Sequence, residues 1–187
     1  MSQDPKRLAD QVKAAAEGAS LPPIEKWNPE LSGDIDIRIA RDGNWYHEGE
    51  LIQREAIPRL FSTILRREDD GEYYLVTPVE KWRIQVEDTP LLAHSLEVAG
   101  TGEEQVLAVT TNFGERLLLG QDHPLDVGTY NSDGSPRPVV QVRRGLEARL
   151  VTVAYYELAD LLVEQPSGDS AALGVWSNGE FFPVGNG

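Results

Sequence analysis

The residues of this 187-residue chain best suited to chemistry are cations: Arg38, His47, Arg54, Arg66, Lys81 and Arg83, all within one stretch, 34–88. Guanidinium groups present paired N–H donors that match phosphate or carboxylate, and lysine adds a point charge, so the chemistry in view is recognition of a small anion. Each cation also has a plainer use: Arg38 has cross-strand acids within reach in Glu80 and Glu87, and Arg66 and Arg67 suit a helix C-terminus. Reaction chemistry finds less support. Gly100-Thr101-Gly102 lacks the third glycine and the strand-to-helix setting of a dinucleotide fingerprint, and there is neither a phosphate loop nor a Gly-x-Ser-x-Gly elbow. His47, His94 and His123 are isolated, without the paired spacing of a helical metal site. No catalytic residue, metal or cofactor is assigned.

The elements that must hold these cations can be read from periodicity. Ile35, Ile37 and Ile39 alternate with Asp36 and Arg38, the pattern of a strand with one buried face. Asp42-Gly43 turns the chain into an aromatic strand, 44–48, where Trp45 and His47 point one way and Tyr46 and Glu48 the other. Ile57, Leu60, Phe61, Ile64 and Leu65 fall at helical spacing and predict a helix over 54–68, with Pro58 in its first turn. A second hairpin, 73–77 and 80–87, sets Trp82, Ile84 and Val86 on an apolar face and Lys81, Arg83 and Gln85 on the other. Trp45 and Trp82 are expected in the core.

Composition bounds the partners. Hydrophobic residues at 40% and charged residues at 26% are those of a folded domain or two small ones. The absence of cysteine excludes disulfides and thiolate chemistry. The formal net charge of −14 argues against a non-specific nucleic-acid binder, which needs basic groups to displace phosphate counterions. Within 35–83, however, eight Lys/Arg stand against ten Asp/Glu, so a local basic face inside an acidic surface is available, as is a solvated surface of paired charges. No apolar run suggests a signal peptide or a bilayer span, which makes the cytoplasm the default compartment and a membrane partner unexpected.

Elsewhere, 5–17 reads as a short helix ending at Gly18, and Trp27 as an anchor for the proline-rich linker before it. Strands are predicted over 91–98, 105–111, 116–119 and 139–143. The segment 120–138 reads as a long loop, a helix is placed over about 153–163, and a hairpin closes the chain at Asn178-Gly179. The runs Gly43–Gly49 and Gly179–Gly185 share the pattern glycine, any, aromatic, aromatic, any, any, glycine, which raises a duplication.

The run from Ile35 to Gly49, with Arg54, Leu60-Phe61, Leu65-Arg66-Arg67-Glu68 and Thr77-Pro78-Val79-Glu80-Lys81, resembles the bacterial domain-of-unknown-function family numbered 1285. Later matches are Val86-Glu87-Asp88, Thr111-Asn112, His123-Pro124, Val142-Arg143, Gly145-Leu146-Glu147-Ala148 and Tyr156-Glu157-Leu158. The resemblance implies an α+β protein of two small domains related by duplication, with antiparallel sheets, one main helix in each, and a C-terminal domain superficially like pleckstrin-homology folds. The expected division is an N-terminal helix and linker (1–30), an α+β domain (31–89) and a β-rich domain with one helix (90–187). It also adds Asn112, His123 and Arg143 to the candidate ligand-binding set. The function expected is that of a non-enzymatic signalling module with a small anionic, nucleotide-like ligand at the domain interface. The alternatives are a protein-interaction module that docks a signalling partner without a metabolite and, behind it, an undescribed hydrolase.

Overall fold

The computed structural model describes residues 4–15 and 21–186, and the chain divides into two units, Met1–Pro90 and Leu91–Gly187. In the first, helix α1 (Pro5–Ala15) and a 3-10 turn (Ile24–Lys26) precede β1 (Gly33–Ile39), β2 (Trp45–His47), β3 (Glu50–Leu51), α2 (Ala56–Ser62), β4 (Leu65–Arg67), β5 (Tyr73–Val76) and β6 (Lys81–Val86). These strands form one sheet in the order β3-β2-β1-β6-β5-β4. Every pairing is antiparallel except the central one, β1 with β6. Ile35, Ile37, Ile39, Trp45, Trp82 and Ile84 are buried, as their alternation requires. Phe61 of α2 packs on Trp45, ring centroids 6.2 Å apart.

The second unit runs β7 (Leu91–Ala99), β8 (Val106–Thr111), β9 (Arg116–Leu118), β10 (Leu125–Thr129), β11 (Pro136–Arg143), β12 (Leu146–Leu150), α3 (Thr152–Ala159), β13 (Val163–Ser167), β14 (Ser170–Ser177) and β15 (Glu180–Asn186). Its six-stranded sheet has the order β10-β11-β12-β7-β8-β9, again with one parallel pair, β12 with β7. Numbered within its own unit, each sheet therefore reads 3-2-1-6-5-4, with two meanders joined through the parallel pairing of first and last strands. The duplication is a repeat of this topology. The hairpin pattern in the sequence does not mark it: Gly43 lies between β1 and β2, whose counterparts are β7 and β8. Gly179 instead turns the chain within the additional sheet β13-β14-β15. Both glycines have positive φ, 88° and 83°, so the shared pattern reflects what tight hairpins need.

Two segments differ from their sequence reading. The predicted 54–68 helix stops at Ser62, where the hydroxyls of Ser62 and Thr63 donate to the carbonyls of Arg59 and Leu60, satisfying acceptors the helix end leaves open. Leu65, Arg66 and Arg67 then pair with Leu75, Tyr74 and Tyr73. Strand pairing overrides the helical period, and Ile64 and Leu65 remain buried in it. Pro58 falls in the first turn of α2 as expected. The segment 120–138 is not one long loop: β10 and the start of β11 lie within it, and Tyr130, Gly134 and Ser135 close the turn between them. The helix expected over 153–163 is α3, which ends at Ala159, so that Val163 already opens β13; 146–150, undecided between helix and strand, is β12. Residues 16–18, where the first helix was expected to end, lie outside the described residues.

The three-stranded sheet is stitched to the six-stranded one through Ser177, which is fully buried. Its Oγ accepts from Leu107 N at 2.9 Å and donates to Leu119 O at 2.6 Å. Gln105 Nε2 donates to Trp176 O and Asn178 N to Gln105 O, both at 3.0 Å. Ser177→Ala leaves a buried donor and a buried acceptor facing a methyl group. It is expected to cost about 2 kcal/mol in urea denaturation; unchanged stability would show that the two groups find other partners.

Candidate functional site

The sheet of the first unit sorts the predicted cations by face. In register, Arg38 lies opposite Tyr46 and Gln85, Asp34 opposite Arg83, and Tyr74 between Arg83 and Arg66. Arg38, Arg66, Lys81 and Arg83 thus share the polar face. His47 does not, because its strand partner is Ile37, which places it on the apolar side with Trp45.

On the polar face each cation is met by a carboxylate. Arg83 bonds Asp34 at 2.6 Å, a contact that raises the guanidinium further above its ordinary value. Arg38 bonds Glu87 at 2.5 Å, as its cross-strand position suggested, and lies 4.5 Å over the Tyr46 ring. Lys81 reaches Glu68 at 3.0 Å while sitting 4.8 Å over Tyr74. Tyr74 in turn donates its hydroxyl proton to Asp70. That bond, with the Glu72 amide, holds the Asp70 carboxyl below the usual range and raises the Tyr74 phenol.

Arg66 has the most structural setting of the set. It bonds Glu68 at 2.6 Å and donates Nη1 to two linker carbonyls, Ile24 at 3.1 Å and Trp27 at 2.8 Å. The anchoring expected of the Trp27 region is made by this arginine. Burial alone would raise the Glu68 carboxyl; hydrogen bonds from Lys81 and Arg66, with their charges, outweigh it and hold it below its ordinary value. The polar face is a ladder of ion pairs in which the charge of each of these cations is already offset by one of the chain's own acids.

Arg54 stands apart from that ladder. It precedes α2 and lines a groove between α2 and α1 together with Lys6, Asp10 and Lys13, over a floor of Ala9, Ala56, Ile57 and Leu60. Lys6, Ala9, Asp10 and Lys13 stand at i, i+3, i+4 and i+7, so they share one side of α1, while Leu8 and Val12 are buried beside them. Among the described residues, Lys6, Lys13 and Arg54 have no side-chain ion pair or hydrogen bond. Three cations and one acid therefore line a small groove with a cavity volume of about 20 Å³. The sequence reading missed both lysines, since two lysines on a short helix are the ordinary composition of a solvent face.

Each second-unit candidate has a partner within its own unit. Asn112 Oδ1 accepts from Leu92 N at 3.1 Å and its own N–H donates to Leu92 O at 3.0 Å, which ties the β8–β9 turn to β7. Arg143, mostly buried, bonds Glu115. His123 Nδ1 lies 3.0 Å from the Gln141 carbonyl; a carbonyl only accepts, so Nδ1 carries the proton. His123 borders a shallow bowl of about 370 Å³ with Arg116, Asp122 and Asn178.

Comparison with known proteins matches this arrangement of two units. Residues 22–89 match the family model described as "Domain of unknown function (DUF1285), N-terminal domain", and residues 90–184 match "Protein of unknown function (DUF1285), C-terminal domain". The chain belongs to the DUF1285 family. A crystal structure of a DUF1285 family protein from Silicibacter pomeroyi DSS-3 is 44% identical, with 94% of each chain covered and a TM-score of 0.82. Another, from Shewanella baltica OS155, is 31% identical over 66% of this chain and 90% of its own, with a TM-score of 0.50. No curated protein matches. The DUF1285 N-terminal segment carries Arg38, His47, Arg54, Arg66, Lys81 and Arg83, and the C-terminal segment Asn112, His123 and Arg143, whereas Lys6 and Lys13 stand ahead of both. Among the described residues no helix is long and apolar enough to cross a membrane.

Proposed function

We propose that this chain is a non-enzymatic regulatory module whose first unit binds a small phosphate-bearing anion in the groove between α1 and α2. The observation that carries this reading is the convergence of Lys6, Lys13 and Arg54, without carboxylate partners, on one groove of a chain whose formal net charge is −14. In such a surface a local positive site focuses potential on small anions, while the wider field repels long polyanions. Arg54 offers bidentate donors to phosphate and the lysines offer point charges from the facing helix. The groove encloses only about 20 Å³, so the cations would hold a phosphate group at its mouth and the organic part of a nucleotide-like ester would lie outside it. His47 lies 4.0 Å from Glu48 and His94 Nδ1 2.7 Å from Ser95 Oγ, but no histidine lines the groove, so the reading there is of binding rather than turnover. The cations of the sheet's polar face, already paired, serve structure in this reading.

A thermal-shift screen with inorganic pyrophosphate and purine mono- and triphosphates tests the assignment, since a ligand selective for the native state raises the melting temperature with concentration. The expected result is a saturable rise that the Lys6→Ala/Lys13→Ala/Arg54→Ala variant loses and Arg38→Ala keeps. An equal rise in the triple variant would contradict the site.

A further inference from the structure

Helix α3 carries an unusual exposed face. Ala154 and Leu158 bury one side of it in the core of the second unit. On the opposite side Val153, Tyr156, Glu157 and Asp160 stand at i, i+3, i+4 and i+7, one continuous stripe. Val153 is 67% and Tyr156 65% exposed, where a solvent-facing stripe is ordinarily polar. Tyr156 is held against Tyr155, ring centroids 6.3 Å apart, and Tyr155 packs on the core.

The charge on the stripe is placed against the helix. Glu157 and Asp160 lie in the last turn and at the C-cap, with no basic residue in that turn, although the C-terminal end of a helix already carries negative partial charge. Nearby Glu164 is exposed as well. An apolar patch therefore adjoins a concentration of negative potential that a cation would relieve.

We infer that this face docks a cationic amphipathic segment of a partner protein, with apolar side chains on Val153 and Tyr156 and Lys or Arg one turn away on Glu157 and Asp160. The Tyr156 ring adds a cation–π surface for Arg. A second copy of the chain fits poorly, because both copies would bring the same carboxylates. This inference is independent of the anion groove, which lies in the first unit.

The test uses the full chain and a set of fluorescein-labelled helical peptides pairing Leu at i and i+3 with Lys or Arg at i+4 and i+7, with Glu-substituted peptides as controls. Binding is read by anisotropy and located by amide chemical shifts. The expected result is binding of the cationic peptides alone, with shifts centred on 152–164. Affinity should fall about tenfold or more in Val153→Ser/Tyr156→Ala and in Glu157→Gln/Asp160→Asn, with no change in Glu103→Gln/Glu104→Gln. Equal losses in both acidic double variants would show general charge attraction and overturn the proposal. So would the absence of peptide binding, or a dimer that Val153→Ser/Tyr156→Ala converts to monomer.

Discussion

Arg66→Ala is expected to lower stability by about 3–4 kcal/mol and to free the linker around Ile24–Trp27. The side chain is 17% exposed and joins β4, through its own backbone, to Glu68 and to the linker carbonyls of Ile24 and Trp27. Truncation leaves both carbonyls without that donor and Glu68 with Lys81 alone, and breaking one side of a largely buried charged pair costs several times what an exposed pair is worth. Lysine is no substitute, because a single ammonium cannot reach a carboxylate and two carbonyls in the fork geometry that guanidinium provides. Urea denaturation gives the loss, and hydrogen exchange over 21–30 shows whether the linker is what comes free. A loss under about 1 kcal/mol would mean the linker is held by its own apolar contacts.

The same network sets a pH dependence. Lys81 and Arg66 hold the folded-state Glu68 carboxyl below its ordinary value, so its contribution is fully present above the unfolded-state value and disappears as pH falls through the folded one. The stability difference between wild type and Glu68→Gln should therefore be largest near neutrality and close in acid. A difference that widens in acid would have the sign wrong.

Gly174→Ala is expected to cost about 3–4 kcal/mol, confined to the second unit. A Cβ built at this position would lie 2.3 Å from the carbonyl oxygen of Phe182 and 2.6 Å from Phe181 Cζ. Phe181 could turn, but the carbonyl belongs to the neighbouring strand of the ladder and cannot move without opening it. Gly174 also sits at the register shift between β14 and β15, where the two strands approach because no side chain separates them. Val175 and Phe182, both in the core, would be displaced with the backbone. A variant as stable as wild type would require the shift to move elsewhere along the strand.

Local features were legible in the sequence. Asp42-Gly43 and Asn178-Gly179 turn where their chemistry demands, Trp45 and Trp82 are in the core, and Arg38 finds Glu87 across the sheet. Features decided by distant pairing were not. Ile64 and Leu65 satisfy a helix and a strand equally well, so only β5, which takes Leu65 into register with Leu75, reveals β4. The β10–β11 hairpin was hidden because Asp126-Val127-Gly128-Thr129 alternates weakly. The parallel β1–β6 and β7–β12 pairings that express the duplication join strands far apart in sequence.

The candidate site shows the same division. Residue type identified the cations, but whether each is free or neutralised depends on cross-strand register, which sets Asp34 beside Arg83. Lys81 likewise finds Glu68 only after β4 has formed. Lys6 and Lys13 gain meaning from the packing of α1 beside α2, and no sequence pattern announces it.

The most direct measurement is isothermal titration of inorganic pyrophosphate and of the purine nucleotides into the wild-type chain and into Lys6→Ala/Lys13→Ala/Arg54→Ala, with both proteins first shown to be equally folded. Saturable binding at one site in the wild type, weakened about tenfold or more in the variant and intact in Arg38→Ala, is the predicted result. Equal affinities in wild type and triple variant, or no heat from any of these ligands, would contradict an anion site between α1 and α2.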